Sequence, residues 1–546
     1  MDSFTLSFKF VVKKIAVRRS MKIVVSKKEL DFKNENATKE GEFILNDATS
    51  VNQLKEHYFE ALSKIGDIIS IDDTSPDPEV SKLCSRPDTI FAFFHEEPRE
   101  NVLCRLLQHS LGGLMLMGGF NCRWTFRDST MNMLTTHKQR DQLQNGLGIA
   151  APHMGIFTPR LNEEVFYLPH EKEKKPSLKS SREDDTFHIV YAGRYIANKG
   201  ICQLVRSLNI WPCNKTQITL VGNVEPNFHI SQSNTLHVTF NSFLKREVAG
   251  RNSTVNLVFI PAQKQEVLRG IYWTADCFLY PSFHEDENFA LAPREAILCG
   301  IPFVVTDFCG LGQLSKAQGG IVSTYPTLGG VRYSLKDLRE EVEKVRLWGQ
   351  KQIMENRDFN VNFVREECSE TKSLLSLKLA SEELLRKPID ENPVGSWHSK
   401  ERIERWSSIG PESFKKAISL AGTEPPEGLY VEGTGYASDG WYSEPYFMQA
   451  IQSLYTTHNS PPIVRDGCCY RGFWRISLWK AEQAIVEFGF PGPRIKRFDS
   501  KQWDILTGSA LVGKAGEVEF YPKGEAAKEI LQHLVDLGYL VPDELA

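Results

Sequence analysis

The chain has 546 residues, more than one hydrophobic core accommodates, so we expect three or four domains. Its composition, 41% hydrophobic and 25% charged, is that of an ordinary globular protein. A formal net charge of −4 excludes a global attraction to nucleic acid or to an anionic membrane. The 11 cysteines include no CxxC pair, which predicts reduced thiols rather than a disulfide framework.

Residues 1–20 are basic and precede a first strand-like run, "MKIVV". They lack the apolar core and the small-residue cleavage site of a secretory signal. No run of about 18 apolar residues elsewhere predicts a helix that spans a bilayer. We interpret residues 1–20 as an N-terminal extension of a cytoplasmic protein. The alternative is a peripheral contact with an anionic membrane surface.

Residues 21–168 alternate strand-like runs ("MKIVV", "DIISI", "TIFAFF") with helical ones such as "VNQLKEHYFEALSKIG". This alternation is typical of a parallel, doubly wound sheet, so we predict an N-terminal Rossmann-like domain. The highly charged residues 169–185 follow it and are predicted to form a linker.

The alternation restarts over residues 186–387, with strand-like "FHIVYAG", "QITLVG", "VNLVFI", "CFLYPS" and "PFVVTD". We predict a second Rossmann-like domain, closed by long amphipathic helices over "SLKDLREEVEKVRLWGQKQIMENR" and "VREECSETKSLLSLKLASEELL". Two such domains form a cleft, and ligands of open sheets bind outside the carboxyl ends of the strands.

Residues 388–546 are rich in Trp, Tyr, Gly and Pro and are predicted to form an accessory mixed α/β domain of unknown role. The final "EAAKEILQHLVDLGYLVP" predicts a helix followed by a strand, which is compatible with a winged-helix-like unit. Interleaved basic and aromatic residues in "RGFWRISLWK" could stack on sugar rings or bases. We favour an aromatic core flanked by arginines, and do not expect nucleic acid as a partner.

Two cations follow a predicted strand end in the second domain. Arg194 and Lys199 come directly after Gly193, and a pair of cations at a strand–helix junction suits a diphosphate. Gly222 ends the next strand and by itself indicates only a turn. Considered singly, Arg194 and Lys199 would more often be solvated surface charges.

In "ENFALAPREAILCG", Glu287 and Glu295 are separated by seven residues. Pro293 favours the first turn of a helix, which places Glu287 in the preceding loop and Glu295 in that first turn. The free N–H groups and positive dipole of a helix N-terminus favour phosphate, and neighbouring carboxylates can accept hydrogen bonds from sugar hydroxyls. The alternative for each glutamate alone is a surface or capping residue.

Taken together, "YAGRYIANKG", "ITLVG", "YWTADCFLYPS" and "HEDENFALAPREAILCGIPFVVT" resemble the retaining nucleotide-sugar glycosyltransferases of the two-Rossmann-domain (GT-B) class that carry an E-x7-E motif, the family 4-like, group 1 glycosyl transferases. The resemblance covers residues 21–385 and is strongest over 187–325. It implies an α/β GT-B fold of two facing Rossmann-like domains plus the extra C-terminal domain. It also implies sugar transfer from a nucleoside diphosphate donor to a glycan, lipid-linked or small-molecule hydroxyl acceptor, with retention of configuration.

The resemblance also implies roles for individual residues. Arg194 and Lys199 would hold the diphosphate, Glu287 a hydroxyl of the transferred sugar, and Glu295 the ribose. The strand-end glycines and the loop between the glutamates would complete the donor site: Gly193, Gly222, Asn288, Phe289, Ala290 and Leu291. No metal or cofactor is expected, and the sequence has no Asp-x-Asp motif, the metal–sugar clamp of the other major glycosyltransferase fold.

The chain departs from the family pattern in both domains. Ala290 stands where the family usually has glycine, and "VVSKKELDFKNEN" replaces the glycine-rich loop after the first strand. His95 is the nearest substitute for the first-domain histidine of the family and is our candidate for it. Two alternatives stay open: a nucleotide-sugar epimerase, hydrolase or phosphorylase on the same fold, or a catalytically degenerate adaptor whose C-terminal domain binds a partner.

Overall fold

The structure is a computed structural model. It describes residues 21–26, 48–71, 82–83, 86, 88–94, 113–116, 130–141, 154–169, 186–209, 216–223, 255–284, 287–327, 330–386, 460–488, 494–513 and 517–543. The candidate His95, the predicted extension 1–20, almost all of the predicted linker and residues 388–459 lie outside these ranges.

The first described sheet has six parallel strands in the order β2-β1-β3-β4-β5-β6. Its elements are β1 (Lys22–Ser26), helix α1 (Ala48–Ile65), β2 (Asp67–Ile71), β3 (Thr89–Phe94), β4 (Gly113–Leu116), β5 (Thr130–Leu134) and β6 (Met154–Ile156). The prediction of a parallel α/β sheet is confirmed here, and the predicted strands "DIISI" and "TIFAFF" coincide with β2 and β3.

The second sheet also has six parallel strands, in the order β12-β11-β10-β7-β8-β9. Its elements are β7 (Phe187–Ala192), α2 (Ile201–Asn209), β8 (Thr216–Val221), β9 (Val255–Ile260), α3 (Gln265–Tyr272), β10 (Cys277–Tyr280), α4 (Leu291–Leu298), β11 (Phe303–Thr306) and β12 (Gly320–Val322). In chain order, β8 and β9 lie on one side of β7, and the next strand, β10, lies on its other side. The topological switch point therefore lies between β7 and β10, where ligands of open α/β sheets bind.

The helices that follow are shorter than predicted. The strands β13 (Thr324–Thr327) and β14 (Gly330–Tyr333) form an antiparallel hairpin, and three helices follow: α5 (Leu335–Arg346), α6 (Gln350–Glu367) and α7 (Glu370–Leu384). The two predicted long helices are each interrupted, because Gly349 and Ser369 adopt extended conformations at the N-caps of α6 and α7. The last helix packs on the first sheet, where its Leu377 is fully buried.

The described residues of 460–543 contain two antiparallel sheets and two helices. The elements are β15 (Tyr470–Gly472), β16 (Arg475–Trp479), β17 (Ala484–Phe488), β18 (Arg494–Arg497), α8 (Ser500–Gly508), β19 (Ala510–Val512), β20 (Val518–Phe520), α9 (Glu525–Asp536) and β21 (Leu540–Pro542). The predicted final helix and strand correspond to α9 and β21.

Candidate functional site

The site predicted from sequence lies at the switch point of the second sheet. Gly193 follows β7, and Ser282 follows the neighbouring parallel strand β10 after a single proline. A short 3₁₀ helix, Ala197–Lys199, then leads into α2, and the loop before α4 begins at Glu287. The carboxyl ends of two adjacent strands thus place Lys199 and Glu287 at one edge of the sheet.

Two glycines allow the segments at this edge to approach one another. A Cβ atom on Gly222 would lie 1.9 Å from the carbonyl oxygen of Gly193. Gly200 has φ +76°, and a Cβ there would lie 2.0 Å from the carbonyl oxygen of Pro281. Any larger residue would push β7 from β8, or the Lys199 segment from the end of β10.

A buried ion pair forms the centre of the site. Lys199 Nζ donates to Glu287 Oε2 at 2.6 Å, and the Ser282 hydroxyl donates to the same oxygen at 2.7 Å. The side chains of Lys199 and Glu287 are only 9% and 7% exposed. Burial of charges costs free energy unless they are paired and hydrogen-bonded, and both conditions are met here. The structure brings together the two residues that the sequence assigned to diphosphate and to sugar.

The ring of Tyr280 lies next to this ion pair. The Lys199 ammonium lies 5.6 Å from the centroid of the Tyr280 ring, which is itself stacked on Tyr191. Burial, with the Glu287 carboxylate close by, raises the pKa of Tyr280 well above its usual range, and the charge of Arg194 opposes that rise. Arg194 and Lys199 therefore lie around the same tyrosine.

The helix α4 begins two residues earlier than its proline. Ala290 is the N-cap, Pro293 lies in the first turn as predicted, and Glu295 begins the second turn rather than lying in the first. Proline is tolerated at this third position because the N–H groups of a first helical turn have no intrahelical partner. Within the described part of the chain, the N–H groups of Phe289, Ala290 and Leu291 make no hydrogen bond.

Glu295 stands apart from the ion pair. Burial raises the pKa of Glu295 to about 7. Burial also raises the pKa values of Tyr272 and Cys299, and the nearby Glu295 charge adds to both increases. No residue that the structure describes donates a hydrogen bond to its carboxylate. A half-buried carboxyl group without a donor suits a ligand that supplies hydroxyl groups.

Arg294 fixes the loop between the two glutamates. Its guanidinium is fully buried, donates to the carbonyl oxygen of Phe289 and lies 3.9 Å from the centroid of that ring. It also forms two hydrogen bonds of 2.8 Å with the carboxylate of Glu367 at the end of α6. The planar guanidinium therefore links the loop between Glu287 and Glu295 to α6 in a bidentate geometry.

Residues that follow β5 of the first sheet contact the same loop. The Thr135 hydroxyl donates to the carbonyl oxygen of Asn288 at 2.5 Å, and the Gln139 amide donates to the Asn288 side chain. The side chain of Asn288, a predicted donor residue, therefore contacts Gln139 in the segment that follows β5.

Sequence reasoning missed Ser282, Thr135, Gln139 and Arg294. Ser282 could have been found, because it is the last residue of the predicted strand "CFLYPS", at the same sheet edge as Arg194. Thr135 and Gln139 carry no local signal, since their contact with Asn288 depends on how two distant segments meet.

A cavity of about 490 Å³ lies elsewhere, between the ends of β5 and β6 and the helices α6 and α7. It is lined in part by His137, Arg140, Lys316 and Lys372, and by none of the predicted donor residues. No group of three or more metal-ligating side chains occurs among the residues that the structure places. None of the described helices combines the length and the hydrophobicity needed to cross a membrane.

The part of the chain that carries the candidate site is similar to known glycosyltransferases. Residues 172–324 match the family model of the glycosyl transferases group 1. Over 213 residues the chain is 27% identical to the D-inositol 3-phosphate glycosyltransferase of Paenarthrobacter aurescens (strain TC1). This alignment covers 38% of the present chain and 48% of the relative, so the chain spans about half the length of that protein. The stretch that matches the family model includes Arg194, Lys199 and Glu287.

Solved structures show a limited likeness. A glycosyltransferase from Rickettsia africae ESF-5 aligns with 68% of this chain and 100% of its own, at 12% identity and a TM-score of 0.44. Anabaena Alr3699/HepE in complex with UDP and glucose aligns with 67% of this chain and 99% of its own, at 13% identity and a TM-score of 0.41.

Proposed function

We propose that the protein is a glycosyltransferase that moves a sugar from a nucleoside diphosphate to a hydroxyl acceptor with retention of anomeric configuration. The observation that carries the proposal is the buried Lys199–Glu287 pair at the switch point, within the region that matches the group 1 model. The D-inositol 3-phosphate glycosyltransferase that aligns with this chain supports the same reaction class.

The donor would occupy the edge formed by β7, β10 and the start of α4. An ammonium group has three donors, so Lys199 can bind a phosphate oxygen while it keeps its 2.6 Å contact with Glu287. Arg194 and the N–H groups of Phe289, Ala290 and Leu291 would share the diphosphate charge. Lys199 and Ser282 both donate to Oε2 of Glu287, and the carboxylate would also accept a hydrogen bond from a sugar hydroxyl. Glu295 would accept ribose hydroxyls.

In the reaction, the bond between the anomeric carbon and the leaving phosphate oxygen breaks as the acceptor oxygen bonds to the same face of that carbon. The acceptor proton passes to the departing phosphate. Negative charge builds on that phosphate in the transition state, so Lys199 and Arg194 lower the barrier by stabilising it. The departing phosphate itself takes the proton, so the nucleoside diphosphate leaves with it, and the chain residues bind and stabilise the phosphate charge.

The first test is thermal unfolding against a panel of nucleoside diphosphates and their sugar conjugates. A ligand that binds only the native state raises the midpoint with its occupancy. We expect one nucleotide to raise it, and Lys199→Ala and Glu295→Ala to abolish the shift. Lys378→Ala, an exposed lysine on α7, is the matched control and should keep the shift.

A second measurement addresses stereochemistry and separates the alternatives. The sugar conjugate selected by the panel is hydrolysed by the enzyme in water, and the first anomer released is read by NMR. Release of the donor anomer supports retention, and the inverted anomer contradicts it. If no nucleotide binds, an adaptor role is favoured instead, and partner binding should then survive Lys199→Ala.

A further inference from the structure

The described C-terminal residues, here called the C-terminal unit (460–543), contribute two aromatic side chains to the core of the second sheet. Phe473 and Trp474, at the junction of β15 and β16, are 0% and 1% exposed. They belong to the same buried cluster as Tyr191 and Tyr280, rather than to the separate core of the C-terminal unit around Trp503. These two side chains of the C-terminal unit therefore form part of the hydrophobic core of the second sheet.

The two aromatic side chains pack against the residue that follows Ser282. The Phe283 ring lies edge-on to Phe473 and Trp474, with ring centroids 5.1 Å and 6.0 Å apart, and Tyr333 closes the cluster from the other side. The backbone N–H of Phe283 donates to the carbonyl oxygen of Asn198 at 2.9 Å. Phe283 thus joins the Ser282 segment to the Lys199 segment.

The backbone of Phe473 holds the second of these segments directly. Its carbonyl oxygen accepts hydrogen bonds from Arg206 Nη1 at 2.7 Å and from Gln203 Nε2 at 3.1 Å. Both donors are buried and lie on α2, the helix that begins two residues after Lys199. One dipeptide of the C-terminal unit therefore touches the two segments whose side chains bind Glu287.

An ionic contact fixes the C-terminal unit in this position. Asp543 is fully buried and pairs with Arg339 of α5 at 2.6 Å and with Arg471 of β15 at 2.8 Å. Arg332 of β14 donates to the carbonyl oxygen of Gly538 at 2.9 Å. The unit is thus anchored on the hairpin and on α5, behind the sheet edge that carries the donor site.

We infer that Phe473 and Trp474 are positioning residues for the Lys199–Glu287–Ser282 cluster, so that the C-terminal unit sets the geometry of the donor site. The inference rests on the proposed function for its catalytic meaning, although the mechanical connection is independent of it. A side chain misplaced by 1 Å can cost a large factor in rate, which is why a remote contact matters here.

The experiment compares Phe473→Leu with Trp503→Leu, a matched loss of a buried ring inside the C-terminal unit's own core. Hydrogen–deuterium exchange of the ligand-free protein follows the amides of 198–209 and 281–290. We expect Phe473→Leu to accelerate exchange in both segments and to weaken the nucleotide selected by the panel roughly tenfold. Trp503→Leu should accelerate exchange only within 460–543. Unchanged exchange in Phe473→Leu would overturn the inference.

Arg206 supplies a rescue test. Arg206→Met removes the shorter of the two side-chain hydrogen bonds to the Phe473 carbonyl oxygen, leaving that from Gln203, and should weaken nucleotide binding. Arg206→Lys keeps a donor there and should restore most of the affinity at similar thermal stability. Equal affinities in the two variants would contradict positioning through this bond. Faster exchange in Phe473→Leu, combined with no nucleotide binding by the unmodified protein, supports the mechanical connection and rejects the proposed function.

Discussion

Ala290 adopts φ 58° and ψ 78° at the N-cap of α4, a left-handed conformation that L-residues other than Asn and Asp rarely adopt. The sequence marked this position because glycine is usual there in the resembling family. The structure shows that alanine at this position adopts an unfavourable backbone conformation. This conformational cost is independent of any contact between the methyl group and a ligand. Arg294 holds the loop in this conformation through its bond to the carbonyl oxygen of Phe289.

Ala290→Gly should therefore stabilise the protein. Relief of the left-handed strain outweighs the extra freedom of glycine in the unfolded chain, and we expect a gain of about 0.5–1 kcal/mol in the free energy of unfolding. Ala292→Gly, inside the first turn of α4, should instead destabilise by up to about 1 kcal/mol. Urea unfolding of both variants measures the difference, and a loss of stability in Ala290→Gly would refute the strain argument.

The raised pKa of Glu295 predicts a dependence on pH. An acid whose folded pKa, about 7, exceeds its unfolded value of 4.5 stabilises the native state fully below pH 4.5, and that stabilisation is lost as pH rises through 7. Glu295→Gln cannot ionise, so it should be more stable than the unmodified protein at pH 8 by about 1–2 kcal/mol. Both proteins should converge near pH 5.

Unfolding curves of the unmodified protein and of Glu295→Gln between pH 5 and 8 measure this stability difference. The variant Glu355→Gln, at an exposed position, is the control. A stability difference between Glu295→Gln and the unmodified protein that does not change with pH would contradict the expectation. A hydroxyl donor to Glu295 favours the ionised carboxylate, so affinity for the selected sugar conjugate should rise from pH 6 to 8 and lose that rise in Glu295→Gln.

At the scale of elements, the loop between Glu287 and Glu295 is held at both of its ends. Glu287 is bound by Lys199 and Ser282 from the sheet edge, and Arg294 binds Glu367 at the end of α6. The same α6 is followed by α7, which packs on the first sheet. The loop is thus connected to elements that also reach the first sheet.

The Arg294–Glu367 pair should be costly to break on one side. Arg294→Met leaves the Glu367 carboxylate, only 8% exposed, without its partner, and we expect a loss of about 3–5 kcal/mol. The exposed pair Arg365–Glu163 is the comparison, and Arg365→Met should cost no more than about 1 kcal/mol. Denaturant unfolding of the two variants measures both losses of stability. Equal losses in Arg294→Met and Arg365→Met would contradict the argument that the buried pair is costly to break.

At the scale of the whole molecule, the second sheet is completed by residues distant in the chain. Trp474 and Val541 lie in its core cluster, together with residues of β7 and β10. The C-terminal unit therefore shares a hydrophobic core with the region that matches the glycosyl transferase model.

Asp543→Asn tests this union. It removes the charge between Arg339 and Arg471, two buried guanidinium groups, and we expect a loss of about 3 kcal/mol. The exposed pair Arg497–Glu482 provides the control variant Glu482→Gln, which should have little effect. Limited proteolysis should cut within 460–543 faster in Asp543→Asn only. Unchanged cleavage would show that the ionic contact does not hold the unit.

The sequence by itself determined the α/β class, three of the six strands of the first sheet, five of the six of the second, and the positions of Lys199 and Glu287 soon after strand ends. These features follow from local periodicity and from the rule that ligands bind at carboxyl strand ends, which need no knowledge of distant contacts. Only the tertiary structure decided that Lys199 and Glu287 pair with each other, that Asn288 contacts Gln139, and that Phe473 packs on Phe283. Those contacts join residues from 88 to 190 positions apart, and no local pattern encodes which distant segments meet.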